Sequence, residues 1–431
     1  MLASFGRTAS ASILSISLIA CGGDNPDTYF SGSGGGSSTA SSSSNTNTTS
    51  TSAAINLDKV VLESHITDTD SFTRLVTISD DGNTILLFSS SDLVPGSNSV
   101  APTLQAFTLT GGVLTQVTSF ATSSISSDLS KFAFSGDAST LVWISPQDLV
   151  GNNPSFNSQI FSSDMAGNIT QLTNSTGFFI SRVAISSDAS LIAFTSDADF
   201  LGSNPANLPQ VYTMDTATLA ITQLTSSDTS SGAVYSLEIS GDGSTIAFVS
   251  AGDWLTGSNA DNLIQIFTIK ADGSQFVQQT SEQLGGVNNF LTVKINKSGS
   301  IIAFTSAEDY TGQNQDNSLQ LFSVETANST FHQLTRSSDM LRSDSFDISE
   351  NTVFYIVGGP MGIQSVDAIN PNIITPTIVM RTNPVIHTGL LINTSPPVVS
   401  DNAGKIAWAL DMDIGLTVAG ESIRQVYSIA P

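Results

Sequence analysis

Six aspartates recur at one place in this chain. Asp92, Asp148, Asp199, Asp253, Asp309 and Asp413 each stand seven residues after an apolar residue of a repeated unit, and Pro360 takes that place in the sixth unit. Oxygen-rich runs follow them, as in Asp148-Leu149-Val150-Gly151-Asn152-Asn153 and Asp199-Phe200-Leu201-Gly202-Ser203-Asn204. Such runs could hold Ca²⁺, which takes six to eight oxygen ligands. Each offers only one or two carboxylates, and none has EF-hand spacing. The reading adopted is structural: Asp caps a turn, Gly is left-handed, Asn makes an Asx-turn and the apolar residue between them packs beneath. No cofactor is expected, with Ca²⁺ as the alternative. Histidine is confined to His65, His332 and His387, with no pair at metal-ligand spacing and no motif for a Ser/His/Asp triad. His332, beside Gln333-Leu334-Thr335, reads as an outer-strand residue. The six arginines after residue 55 (Arg74, Arg182, Arg336, Arg342, Arg381 and Arg424) share no position in the repeat.

One further position carries unlike residues from unit to unit: Thr77, Ala133, Ala184, Glu238, Lys294, Asp347 and Val398. Variation on a repeated scaffold is where specificity resides. The charged trio Glu238, Lys294 and Asp347 is predicted to line a central channel, with Lys294 standing between two acids as an ion pair across adjacent units.

The formal net charge is −24, with only 13 Lys and Arg and no basic run. That excludes nucleic acid as a partner, because such binding rests on cations neutralising phosphates. It also favours solubility and a monomer. Residues 1–20 read as a signal peptide, with Arg7 in the n-region and Ile13 to Ala20 as a short apolar core too short to span a bilayer. Leu18-Ile19-Ala20-Cys21 resembles the bacterial lipobox, which implies cleavage before Cys21 and acylation of its thiol and new amine. Several acyl chains anchor stably where one does not. Gly22 after the cysteine, rather than Asp, implies sorting to the outer membrane. Cys21 is the only cysteine, so no disulfide is available. Residues 21–54 are Ser/Thr/Gly-rich and bury too little to order. They read as a tether spanning roughly 30 Å.

From residue 55 to 431 the sequence repeats. Ile85, Leu141, Ile192, Ile246, Ile302, Val353 and Ile406 mark seven copies at steps of 51 to 56 residues. A glutamine opens the next apolar stretch in each: Gln105, Gln159, Gln210, Gln265, Gln320, Gln364 and Gln425. Each unit divides into four short strands, the first ending at a Ser-x-Asp-Gly turn and the fourth reading as in Ile221 to Thr225. Four antiparallel strands repeated seven times predict an all-β, seven-bladed β-propeller. The seventh unit stops at its third strand, Gln425 to Ile429, and Lys59 to Glu63 precedes the first unit. The N-terminal strand is therefore expected to close the last blade and hide its edge.

Ser-x-Asp-Gly-x-x-Ile-Ala-Phe followed by Gln-Ile-Phe and Gln-Leu-Thr resembles the repeats of the TolB family of WD-repeat-like propellers. The resemblance covers residues 56 to 431 and implies the fold, while the function of such repeats varies. TolB itself implies a soluble periplasmic protein with a separate N-terminal domain, whereas this chain offers a lipid anchor and tether. The expectation is a non-catalytic binding or scaffold propeller of the cell envelope, lipid-anchored at the outer membrane, presenting a face to a protein or glycan. The alternative is a carboxylate-dependent hydrolase or lyase acting on extracellular polysaccharide or peptide, which needs two unique acids converging at one rim.

Overall fold

The computed structural model describes residues 60–62, 73–90, 92–94, 104–120, 131–176, 179–226, 232–281, 292–336, 346–357, 362–371, 374–379, 397–401, 405–410 and 425–429. These form a β-propeller of four-stranded antiparallel blades with no α-helix among them. In chain order, the innermost strands of the seven sheets are Thr73–Ile78, Phe132–Phe134, Ile180–Ile185, Val234–Ile239, Val293–Ile295, Phe346–Ser349 and Val398–Val399. Cys21, the leader and the tether lie outside the described residues, as does Asp413.

Why the sheets form and stack follows from the second strands. Thr245–Ser250 (TIAFVS) is buried along its whole length, and Ile301–Ser306 likewise. Alternating apolar side chains on such a strand point to opposite faces, so each sheet must be covered on both. The clusters show who covers whom. Phe88 packs with Phe132 and Trp143 between the first two blades, and Val142 and Ile160 with Val183 and Phe194 between the next two. Phe304 with Ile266 joins the fourth and fifth, and Ile78 with Ala407 joins the first and seventh. A fully buried aromatic of this kind contributes roughly 1.5–3 kcal/mol.

Two local devices fix the strands. In the hairpin after the innermost strand, Ser79 donates to Asp81 at 2.6 Å and accepts the Thr84 N–H at 3.0 Å, while Asp81 accepts Asn83 N–H at 2.9 Å. Ser186 with Asp188 and Ser240 with Asp242 repeat it. The hydrogen bond from Ser79 leads those that hold the Asp81 carboxyl below its ordinary value. The residue after this aspartate sits in the left-handed region, as Gly82 (φ 74°) and Gly243 (φ 71°), and as Ala189 (φ 60°) at a backbone cost. At the other end, the glutamine opening the third strand grips the fourth. Gln159 accepts from Thr173 Oγ1 at 2.8 Å, and Thr173 in turn accepts the Ile160 N–H at 2.8 Å. Gln105, Gln210, Gln265 and Gln320 meet Thr118, Thr225, Thr280 and Thr335 in the same way. This latch lies past the fourth strand, which ends at Gln223 rather than at Thr225 as the sequence suggested.

The sixth blade departs from the expected register. Gln364 is the third residue of Gly362–Asp367 and pairs with Tyr355, whereas Gln320 opens its strand opposite Ser306. The connection there spans only residues 358–361, so the strand begins before its glutamine instead of with it.

Val60, Val61 and Leu62 pair antiparallel with Ile429, Ser428 and Tyr427, so the chain start supplies the outer strand of the last sheet. Deleting residues 56–64 should expose the Gln425–Ile429 edge and promote association between molecules, read as a rise in light scattering and a lower melting temperature. Deleting residues 24–52 should change neither. Equal behaviour of the two truncations as monomers would show that the terminal strand does not hold the last blade.

Candidate functional site

Antiparallel order gives the propeller two unlike ends. The turn face carries the Ser-x-Asp hairpins, and the loop face carries the Asp-to-Asn loops and the connections between blades.

On the turn face, the x residues of successive hairpins meet around the axis: Asp80, Gly136, Ser187, Gly241, Lys297, Glu350 and Asp401. Backbone bonds link them blade to blade. Asp80 N–H donates to the Gly136 carbonyl at 2.8 Å, Asp137 N–H to Ser187 at 2.8 Å, Ser187 N–H to Gly241 at 2.9 Å and Asp242 N–H to Lys297 at 2.9 Å. Asn296 Nδ2 reaches the Glu350 carbonyl at 3.2 Å, and Ser349 Oγ reaches that of Asp401 at 2.5 Å. From the fifth blade, Lys297 Nζ crosses the axis to Asp80 Oδ2 at 2.8 Å in the first blade and Asp401 Oδ2 at 3.2 Å in the seventh. Two glycines make room for this clasp. A Cβ on Gly136 would fall 2.1 Å from Asp80 Oδ1, and one on Gly241 would fall 2.6 Å from Ser187 Oγ and 2.8 Å from Lys297 Cγ. Burial, with the neighbouring Asp80 charge next, pushes the Asp401 carboxyl up to about 6, and the hydrogen bond to Asp80 leads the causes that raise Lys297.

One tier deeper lie the three predicted channel residues. Lys294 Nζ bonds Glu238 Oε1 at 3.0 Å, across adjacent blades. The Glu238 charge holds the Lys294 ammonium above its ordinary value. Asp347, the acid on the other side of Lys294 in blade order, makes no ion pair within 4 Å among the described residues. Its carboxylate accepts the Val399 N–H at 2.9 Å and its neighbour Ile348 N–H at 3.0 Å. Burial raises its pKa, partly offset by Lys294. Thr77, Ala133, Ala184 and Val398 complete the tier.

On the loop face, the repeated aspartates turn inward on their own loops. Asp148, Asp199, Asp253 and Asp309 accept the N–H of Asn153, Asn204, Asn259 and Asn314 at 2.8, 2.9, 2.9 and 2.8 Å. Each buried Asn then donates to carbonyls on both flanks, as Asn153 does to Pro146 at 2.9 Å and Asn157 at 2.8 Å. The residue after the aspartate packs beneath, as Phe200 does against Phe194 and Tyr212. Asp92 holds the equivalent place after Thr84–Ser89. No group of three or more His, Cys, Asp or Glu able to hold a metal occurs among the described residues. His332 pairs with Glu325 at 2.9 Å on an outer strand, while His65 and His387 lie outside the described residues.

Three features escaped the sequence reading. The x position of the turn looked like a spacer, although the mixture of Asp, Gly, Lys and Glu there was a visible signal. Lys131 and Arg182 share one repeat position, ten residues before their markers, which a survey of arginines alone overlooks. Finally, Phe156 replaces the residue that is Asn207, Asn262 and Asn317 in the next three blades. All four are left-handed, with φ of 54°, 52°, 53° and 53°. Asn tolerates that conformation, whereas a bulky ring does so at a cost.

The clasp ties both acids to one cation, so removing the cation should be felt in proportion to their ionisation. Lys297→Met should lower stability by about 1–2 kcal/mol at pH 7.5, a figure below that of a fully buried pair because the groups are partly exposed. The sign follows from the raised carboxyl. Its contribution is present below pH 4 and is lost as pH rises through about 6. Denaturant unfolding at pH 4.5 and 7.5 should therefore show the smaller loss at pH 4.5, and an equal loss at both would refute the clasp.

No protein-family model matches the chain, and no curated relative matches it. Solved structures do. The oligogalacturonate lyase of Vibrio parahaemolyticus superposes with a TM-score of 0.54 at 12% identity, over 86% of this chain and 93% of that one. A prolyl endopeptidase matches at 0.50 and 12% identity, over 79% of this chain and 45% of that one. TolB from Acinetobacter baumannii matches at 0.39 and 16% identity, over 69% and 61%. The chain is a β-propeller, similar in its repeats to the TolB propellers and in its whole fold to that lyase.

Proposed function

We propose that the protein is a non-catalytic binding or scaffold propeller of the bacterial cell envelope, presenting its loop face to a protein or glycan partner. In this reading residues 55–431 form one closed seven-bladed head, residues 21–54 are its tether, and acylated Cys21 anchors it at the outer membrane. No helix among the described residues is long and apolar enough to cross a bilayer, and the anchor serves in its place.

The observation that carries the reading is Phe156. The residue is 62% exposed, on a left-handed backbone, at a position where the sister loops hold Asn. Strain of about 1–2 kcal/mol with no burial in return marks a side chain kept for something outside the fold. It does not stand alone. Of the nine large exposed hydrophobics among the described residues, five lie on the loop face of the second to fourth blades: Val150, Phe156, Phe179, Leu201 and Tyr235. Apolar exposure gathered on one face in this way supports an interaction surface there.

A second reading, a carboxylate-dependent hydrolase or lyase, is favoured by the convergence of Asp80 and Asp401 at one rim, with one carboxyl titrating near 6. Against it, Lys297 engages both acids. The lyase and the endopeptidase among the structural neighbours reflect a fold that hosts several chemistries.

Phe156→Asn should leave the head as stable or raise it by up to about 1 kcal/mol, because Asn suits the left-handed site. Crosslinking of the full-length protein to envelope components in cells should fall at least fivefold in the same variant. Unchanged crosslinking would remove the loop face from the interaction. Anchoring is tested separately by labelling cells with a palmitate analogue. Cys21→Ser should abolish incorporation and release the protein from membranes, and persistent labelling would disprove the lipid anchor.

A further inference from the structure

The fifth blade breaks the repeat on its loop face, and a cavity lies at the break. It encloses about 470 Å³, walled by the loop of residues 312–318, by Gln320 and Gln333 at the ends of their strands, and by Arg336. In the third and fourth blades the residue before the loop asparagine serves the fold. Ser203 Oγ donates to Gln223 Oε1 at 2.6 Å, and Ser258 Oγ to Gln278 Oε1 at 2.8 Å. In the fifth blade Thr311 Oγ1, two residues earlier, does this for Gln333 at 3.1 Å, which releases Gln313 from the task. Gln315 stands where the second, third and fourth blades have Pro154, Pro205 and Ala260, and Arg336 where they have Asn174, Ser226 and Ser281. Three residues that depart from the repeat therefore line one cavity.

The walls define what fits. Every residue lining the cavity is polar or glycine, so water there yields only to a solute that replaces its hydrogen bonds. The lining carries one residue of each sign, Asp316 and Arg336. Asp316 accepts the Ser318 N–H at 3.2 Å and the Ser318 hydroxyl at 2.9 Å, both on Oδ1, and the hydroxyl leads the causes that hold this carboxyl below its ordinary value. It stays ionised, with Oδ2 turned to other partners. A guanidinium takes a carboxylate through paired, directed hydrogen bonds. A purely anionic solute is repelled by a chain of net charge −24, and a purely cationic one finds acids over the whole surface. A solute with one charge of each sign escapes the repulsion and finds both its partners in this cavity. The amides of Gln313 and Gln315, donors and acceptors at once, suit an uncharged polar group on it.

We propose that this cavity binds a free α-amino acid with a polar side chain, Arg336 taking its carboxylate, Asp316 its ammonium, and Gln313 and Gln315 its side chain. The site lies on the fifth blade, apart from Phe156 of the second, and adds a small-molecule ligand to the partner surface proposed there.

The test is isothermal titration of the full chain in detergent with L-glutamine, alongside N-acetyl-L-glutamine, which lacks the ammonium, and L-glutamine α-amide, which lacks the carboxylate. L-glutamine should bind at least tenfold more tightly than either. Arg336→Gln and Asp316→Asn should each weaken it at least fivefold with the melting temperature unchanged, because both residues are exposed. Gln313→Ser, which restores the residue of the third and fourth blades, should weaken it at least threefold. The blocked ligands assign the charges: Asp316→Asn should leave binding of N-acetyl-L-glutamine as it was, and Arg336→Gln that of the α-amide. No binding of L-glutamine, equal binding of a blocked form, or indifference to Arg336→Gln overturns the proposal. So does N-acetylglucosamine binding more tightly at the same residues. Each of these outcomes leaves partner crosslinking through Phe156 untouched, so this proposal and the broader reading fail separately.

Discussion

A second strand buried on both faces cannot be satisfied by one sheet. Ile246 and Phe248 of the fourth blade pack toward Ala184 and Val211 of the third, while Ala247 and Val249 of the same strand pack toward Ile302 and Phe304 of the fifth. Every sheet is in this position, so the array is stable only when the last sheet also covers the first. Ile78 and Ile85 against Val398 and Ala407 meet that requirement. The pairing of Val60–Leu62 with the chain end follows as a second consequence, since it ties that closure with backbone hydrogen bonds where packing alone would leave two loose ends.

Closure also explains which residues are repeated and which are free. Ser and Asp of the inner hairpin, Gln and Thr of the outer latch, and Asp and Asn of the loop each satisfy buried backbone groups, and each recurs because every blade has the same groups to satisfy. The x residue of the hairpin joins the ring of turns through its backbone, so its side chain answers to its neighbours across the axis and not to the repeat. That freedom lets Asp80, Lys297 and Asp401 differ from Gly136 and Gly241, and lets one lysine span the axis over glycines that leave it space.

The legibility of the fold and the opacity of the channel have one cause. Repeat markers, turn residues and the Asp-to-Asn loops act within about twenty residues of themselves, so a single unit read against its neighbours displays them. The Lys297 to Asp80 contact joins residues 217 apart, and only the circular order of blades brings them together. Glu238 and Lys294 lay within reach of sequence reasoning because they occupy one repeat position on successive blades. Lys131 and Arg182 obey the same rule, but pooling Lys with Arg was needed to see them. Asp347 was placed correctly on its strand, yet its partner is the Val399 N–H, a backbone donor that no side-chain pattern announces.

The two ends of the axis handle charge in opposite ways, and this asymmetry bears on function. At the turn face the acids and the lysine consume one another, so the clasp strengthens closure while offering little to a ligand. Toward the loop face, Arg182 of the third blade bonds only backbone carbonyls among the described residues, and the loop of the second blade holds a phenylalanine at a backbone position suited to asparagine. A propeller selected only for stability would hold asparagine there, as its sister loops do. It holds phenylalanine instead, which concentrates an unrecovered backbone cost on the loop face of the second blade. A binding surface requires that concentration, since groups already satisfied within the fold have nothing left to give a partner.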